Sequence, residues 1–82
     1  MKKIILMMDT DMFEVVAKCD ATGMCNASDY AKCINACIKH AGEYPMSDVE
    51  VMDAAQHLKE SGISYDDCYQ FMLVDLDDVL KV

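Results

Sequence analysis

The sequence contains no arginine. Its seven basic side chains are all lysines, so the planar fork that grips phosphate or guanine bidentately is missing. This argues against direct binding to DNA, RNA or an anionic membrane surface. Long apolar runs are missing as well. The opening stretch "MKKIILMMDTD" offers a lysine pair and a short apolar run before Asp9. A secretory leader needs a longer apolar region, and a membrane span needs about 20 apolar residues. The expectation is a cytoplasmic protein whose thiols stay reduced. There is no C-x2-C pair, glycine-rich phosphate loop, nucleophile elbow or paired-histidine zinc motif, so an enzyme is not expected and no cofactor is implied. "DTD" at residues 9–11 and "DLDD" at residues 75–78 resemble fragments of calcium loops. Both lack the twelve-residue spacing with its central glycine and closing glutamate. Proline and glycine are scarce, one and three, and no linker, repeat or low-complexity segment interrupts the chain.

What is present is a short, apolar and acidic chain. Its 82 residues allow one small domain. A hydrophobic content of 54% argues against intrinsic disorder despite a net charge of −8. That charge is unevenly placed. Residues 1–41 balance five acids against five lysines, whereas residues 42–82 hold ten acids against Lys59 and Lys81. Such a field suits a basic partner protein. Five cysteines, an odd number, do not suggest a disulfide framework, and with eight methionines they suggest a sulfur-rich core.

Gly23, Gly42, Pro45 and Gly62 divide the chain into four segments, each reading as an amphipathic helix. The first, Lys2 to Ala21, places Ile4, Ile5, Met8, Met12, Val15, Val16 and Cys19 on one face. A competing reading has a short strand over residues 3–8, followed by a helix capped at Asp11 with Glu14 three residues on. The second helix starts at Asn26 as N-cap and stops before Gly42. The third begins at a capping box of Ser47 and Glu50 and stops at Gly62. The fourth repeats the device with Ser64 and Asp67, and carries Tyr65, Cys68, Tyr69, Met72, Leu76, Val79 and Leu80 on one face. The expected fold is all-α, a compact bundle of four short helices; the alternative is α+β with the N-terminal strand.

"CNASDYAKCINACIKH" poses a choice between core and chemistry. In a helix, Cys33 and Cys37 share a face with Tyr30, Ile34, Ile38 and Ala41, and cysteine serves there as a small buried hydrophobe. The alternative is a thiol-based metal or redox site built from Cys33, Cys37 and His40 at i, i+4 and i+7. A fourth ligand would come from Cys19, Cys25, Cys68 or His57. The core reading is the expected one. His57, flanked by Asp53 and Glu60, reads as part of a solvated helix face, with a pH-sensitive contact as the sharper alternative.

The acidic second half is where a binding surface is expected. Glu50, Asp53 and Glu60 line the outer face of the third helix. On the fourth, Asp67, Phe71, Val74 and Asp78 form a stripe widened by Asp66, Asp75 and Asp77. Carboxylates would steer a basic partner and the apolar pair would anchor it. The competing readings bury Phe71 and Val74 against Leu6, Phe13 and Ala17, or use the stripe to close a homodimer. The functional expectation is a non-enzymatic interaction module, active as monomer or homodimer. It would be a small acidic inhibitor occupying the basic, nucleic-acid-binding surface of a partner such as a nuclease. Size and composition are those of phage or mobile-element proteins of the anti-CRISPR-like, DNA-mimic kind. An acidic antitoxin or adaptor is a further alternative.

Overall fold

Antiparallel strands, with two helices between the second and third, make up most of the described residues. The computed structural model describes residues 2–66 and 68–76. Their order is β1 (Lys3–Asp9), β2 (Glu14–Asp20), α1 (Ala27–Ala41), α2 (Asp48–Ser61), β3 (Ile63–Tyr65) and β4 (Tyr69–Asp75). The strands form one sheet in the order β2-β1-β4-β3. Every neighbouring pair is antiparallel. The protein is therefore a small α+β fold and not the all-α helical bundle expected from periodicity.

The correction at the N-terminus has a clear cause. "KIILMM" is apolar at consecutive positions because β1 is a central strand, hydrogen-bonded to β2 on one side and β4 on the other. Ile5 and Met7 point to the helices and are buried, while Ile4, Leu6 and Met8 alternate to the other face. The strand expected as an alternative over residues 3–8 is present as β1. The helix proposed to follow it from Asp11 is instead β2. Between them, the Asp9 carboxylate accepts hydrogen bonds from the backbone N–H groups of Asp11 (2.8 Å) and Met12 (3.1 Å), folding the chain back in an Asx turn. A bulge where Met7 passes to Met8 then leaves Val16 without a register partner on β1, between Val15 opposite Met8 and Ala17 opposite Met7.

The expected fourth helix is likewise a correction. Residues 69–75 pair along the whole of β1, from Asp9 opposite Tyr69 to Lys3 opposite Asp75. Ser64 is buried within β3, opposite Phe71, and caps nothing. Asp67, Val79 and Leu80, invoked for that helix, lie outside the described residues.

The two remaining helices form where their caps are. Asn26 accepts a hydrogen bond from the Asp29 N–H at 2.9 Å and starts α1. Ser47 accepts one from the Glu50 N–H at 3.2 Å, and its hydroxyl donates to the Glu50 carboxylate at 2.9 Å. Gly42 and Gly62 end the helices in the left-handed conformation that glycine adopts without penalty, at φ 74° and 79°. The helices cover one sheet face. Tyr30, Cys33, Ile34, Cys37 and Ile38 of α1 join Val51, Ala54, Ala55 and Leu58 of α2 over Ile5, Met7, Ala17 and Phe71. On the other face Ile4, Leu6, Met8, Ile63, Met72 and Val74 remain partly exposed among the described residues.

Candidate protein-binding surface

Three connections meet at one end of the sheet. The β1–β2 turn lies beside the β3–β4 turn because β1 and β4 run antiparallel in full register. Thr10 fastens them, its N–H and its hydroxyl both donating to the Cys68 carbonyl at 3.1 and 3.0 Å. The α1–α2 connection reaches the same end through Glu43, which lines one hollow with Tyr69. The Glu43 carboxylate beside it, some burial and the nearby charge of Asp9 push the Tyr69 hydroxyl up to about 12. An open hollow of about 360 Å³ lies between the connections, lined in part by Glu43, Tyr44, Asp66 and Tyr69.

Exposed apolar groups stand among these acids. Phe13 is 80% exposed and Tyr44 95% exposed, and Met12 and Tyr65 are also solvent-facing. Asp9, Asp11 and Glu14 flank Met12 and Phe13, and Glu43 and Asp66 adjoin the two tyrosines in sequence. Phe13 also has a positive φ, 55°, the only non-glycine among the described residues that does. The left-handed region costs an L-residue about 1–2 kcal/mol, and for a bulky side chain it is a marked outlier. A glycine or asparagine would close this turn at lower cost, so the aromatic ring is not there for the turn's sake.

α2 leads away from this end and carries acids along its outer side. Glu50, Asp53 and Glu60 are exposed there, as expected from the sequence, with Asp48 in the first turn. Asp53 lies 3.9 Å from His57, both well exposed, and Glu60 accepts a hydrogen bond from Gln56 at 2.7 Å. Val49 and Met52 are exposed on the same helix.

The expected stripe on the fourth segment does not form on one face among the described residues. In a strand, residues three apart point to opposite faces. Phe71 enters the core at 0% exposure, and Val74 lies on the opposite face of the sheet. Asp67 and Asp78 lie outside the described residues. Of the seven expected binding residues, Glu50, Asp53 and Glu60 remain together on one exposed helix. Met12, Phe13 and Tyr44 were missed because an exposed apolar residue in a turn leaves no periodic signal. The one usable sign was "DTDMFE" itself, a bulky pair inside acids where turn residues are expected.

The cysteines distribute as core and surface. Cys33 and Cys37 are buried between α1 and the sheet, Cys19 is partly exposed, and Cys25 and Cys68 are exposed. Burial pushes the Cys33 thiol up to about 12, aided by the hydrogen bond and charge of Cys19; burial likewise pushes Cys37 to about 11. His40 is exposed near the end of α1 and borders Val15–Lys18 rather than the two thiols. Among the described residues no three histidine, cysteine or acidic side chains gather in a metal-binding arrangement. Also among them, no helix is long and apolar enough to cross a membrane.

Comparison with known proteins assigns no relative: no family, no curated protein and no solved structure matches this chain.

Proposed function

We propose that this protein is a non-enzymatic binding protein that occupies the basic, nucleic-acid-binding surface of a partner protein in the cytoplasm, and so inhibits it. The observation that carries the reading is the acidic end of the sheet, where Phe13, Met12 and Tyr44 stand exposed among Asp9, Asp11, Glu14 and Glu43. Aromatic anchors inside a charged rim are what concentrated binding energy requires. Backbone strain at an exposed aromatic supports the same reading, because strain of this kind collects at functional positions. The carboxylates of Glu50, Asp53 and Glu60 extend the negative field along α2. Together with the net charge of −8, they attract a cationic surface from a distance. The hollow beside Tyr44, with Glu43 and Asp66 at its walls, has the chemistry to receive a lysine or arginine side chain.

The experiment pairs two baits, the natural chain and Phe13→Gly, in an extract of cells that carry the gene. The natural chain should retain a basic protein that is released as salt is raised and displaced by excess duplex nucleic acid. Phe13→Gly should bind it at least 30-fold more weakly, in line with an anchor worth about 2 kcal/mol. Neutralising Glu50 and Asp53 together should slow association more than it speeds dissociation. Equal retention by both baits, or binding indifferent to salt, would show that this end of the molecule is not the binding surface.

A further inference from the structure

Cys19 and Cys33 come from different layers of the fold and meet sulfur to sulfur. Cys19 lies on the edge strand β2, opposite Ile5 in the sheet register. Cys33 is on the second turn of α1, 1% exposed. Their Sγ atoms are 2.8 Å apart, inside the ~3.5–4.0 Å at which non-bonded heavy atoms usually rest. The Cys33 sulfur also lies 3.4 Å from the Asp20 carbonyl and 3.3 Å from the Met24 sulfur. No metal ligand set explains the pairing among the described residues. Neither thiol contributes to the acidic end of the sheet.

We propose that Cys19 and Cys33 are a disulfide-forming pair, closed by a low-molecular-weight disulfide such as oxidised glutathione and reopened by thiols. The inference does not rest on the binding function. Cys19 is the entry point, because it is partly exposed while Cys33 is buried. Its thiolate attacks one sulfur of the small disulfide and expels the other half as a thiolate, leaving a mixed disulfide on Cys19. Cys33 then loses its proton to solvent and attacks the Cys19 sulfur, expelling the second small thiolate. Two electrons leave the protein and two small thiols form for one bridge. In a reducing cytoplasm the pair stays open, and an oxidising shift closes it. Closure ties the edge strand to the helix above it and constrains the segment 19–33 in the unfolded chain.

The test exposes the folded full chain to graded ratios of oxidised to reduced glutathione, quenches in acid, alkylates the remaining thiols in denaturant and weighs the intact protein. The expected product has two protected thiols and three alkylated ones. Tryptic cleavage at Lys18, Lys32 and Lys39 leaves Cys19 with Cys25 and Cys33 with Cys37. The assignment is therefore made in Cys25→Ser/Cys37→Ala, which should still close. Cys33→Ala, a small apolar replacement suited to a buried site, should halt at the mixed disulfide on Cys19. Cys19→Ser should acquire neither bridge nor adduct in the core. The closed form should melt about 10 °C above the open one. Five alkylated thiols at every ratio, a bridge that persists in Cys19→Ser, or a bridge that vanishes in Cys25→Ser/Cys37→Ala would each overturn the proposal.

Discussion

Two phenylalanines have opposite positions in this molecule, and each makes a prediction the other does not. Phe71 is fully buried between β1 and the helices. Truncating it to alanine removes the largest fully buried side chain and leaves a cavity, at a cost of about 3–5 kcal/mol. A domain of this size has about 4–12 kcal/mol in total. Phe71→Ala should therefore move the urea midpoint down by about a quarter or more, or leave the chain unfolded. If it folds with an unchanged midpoint, Phe71 is not a core residue. Phe13 behaves inversely. Glycine at that position relieves the positive φ of 55° and exposes less apolar surface, so Phe13→Gly should raise the melting temperature by several degrees. The same substitution should weaken partner binding, and a gain in stability with a loss of function separates an anchor from a scaffold residue.

At the level of elements, local chemistry decided the helices and pairing decided the strands. Asn26, Ser47, Gly42 and Gly62 were legible because caps act within a few residues of themselves. Ser47 offers the clearest test, since its one hydroxyl both accepts from the Glu50 N–H and donates to the Glu50 carboxylate. Ser47→Ala removes both bonds from the start of α2 and should cost about 1 kcal/mol, lowering the melting temperature by about 4–8 °C. Circular dichroism through the transition measures it, and no shift would mean that α2 is held by packing alone. The strands were not legible for a related reason. Ile4, Ile5, Met8, Met12, Val15, Val16 and Cys19 recur every three or four positions, as a helix requires. In the fold Ile5 and Cys19 face the core while Ile4, Met8 and Val15 belong to the other face. A continuous apolar run gives no period, and only its neighbours β2 and β4, one of them about sixty residues away, make "KIILMM" a strand. "YQFMLV" misled in the same way, and the exchange of helix for strand split the proposed Phe71–Val74 pair, taking Phe71 into the core and Val74 to the opposite, partly exposed face. Glu50, Asp53 and Glu60 stay together on one exposed side because the helix that carries them was read correctly.

At the scale of the whole molecule, three protons held by burial or by a neighbouring carboxylate link stability to alkaline pH. Cys33, Cys37 and Tyr69 are pushed to about 12, 11 and 12 from ordinary values of 9.0, 9.0 and 10.0. A raised value means that the fold holds the proton more tightly than the unfolded chain does. The stabilisation is complete below the ordinary value and is lost as pH climbs towards the raised one. The reduced protein should therefore melt at a constant temperature up to about pH 9, apart from general charge effects, and then lose stability steadily to pH 11. Self-repulsion in a chain of net charge −8 also grows as lysines lose their protons, but salt screens it, whereas it cannot rehydrate a buried thiolate. The decline should accordingly persist in 1 M salt, where the Debye length is about 3 Å. It should be shallower in Cys37→Ala, and shallower again once Cys19 and Cys33 are bridged and Cys33 has no proton to lose. Thermal melts from pH 8 to 11 at low and high salt separate the two causes. A decline that disappears in 1 M salt would assign it to net charge, and the sulfur-rich core would then have no part in the alkaline limit.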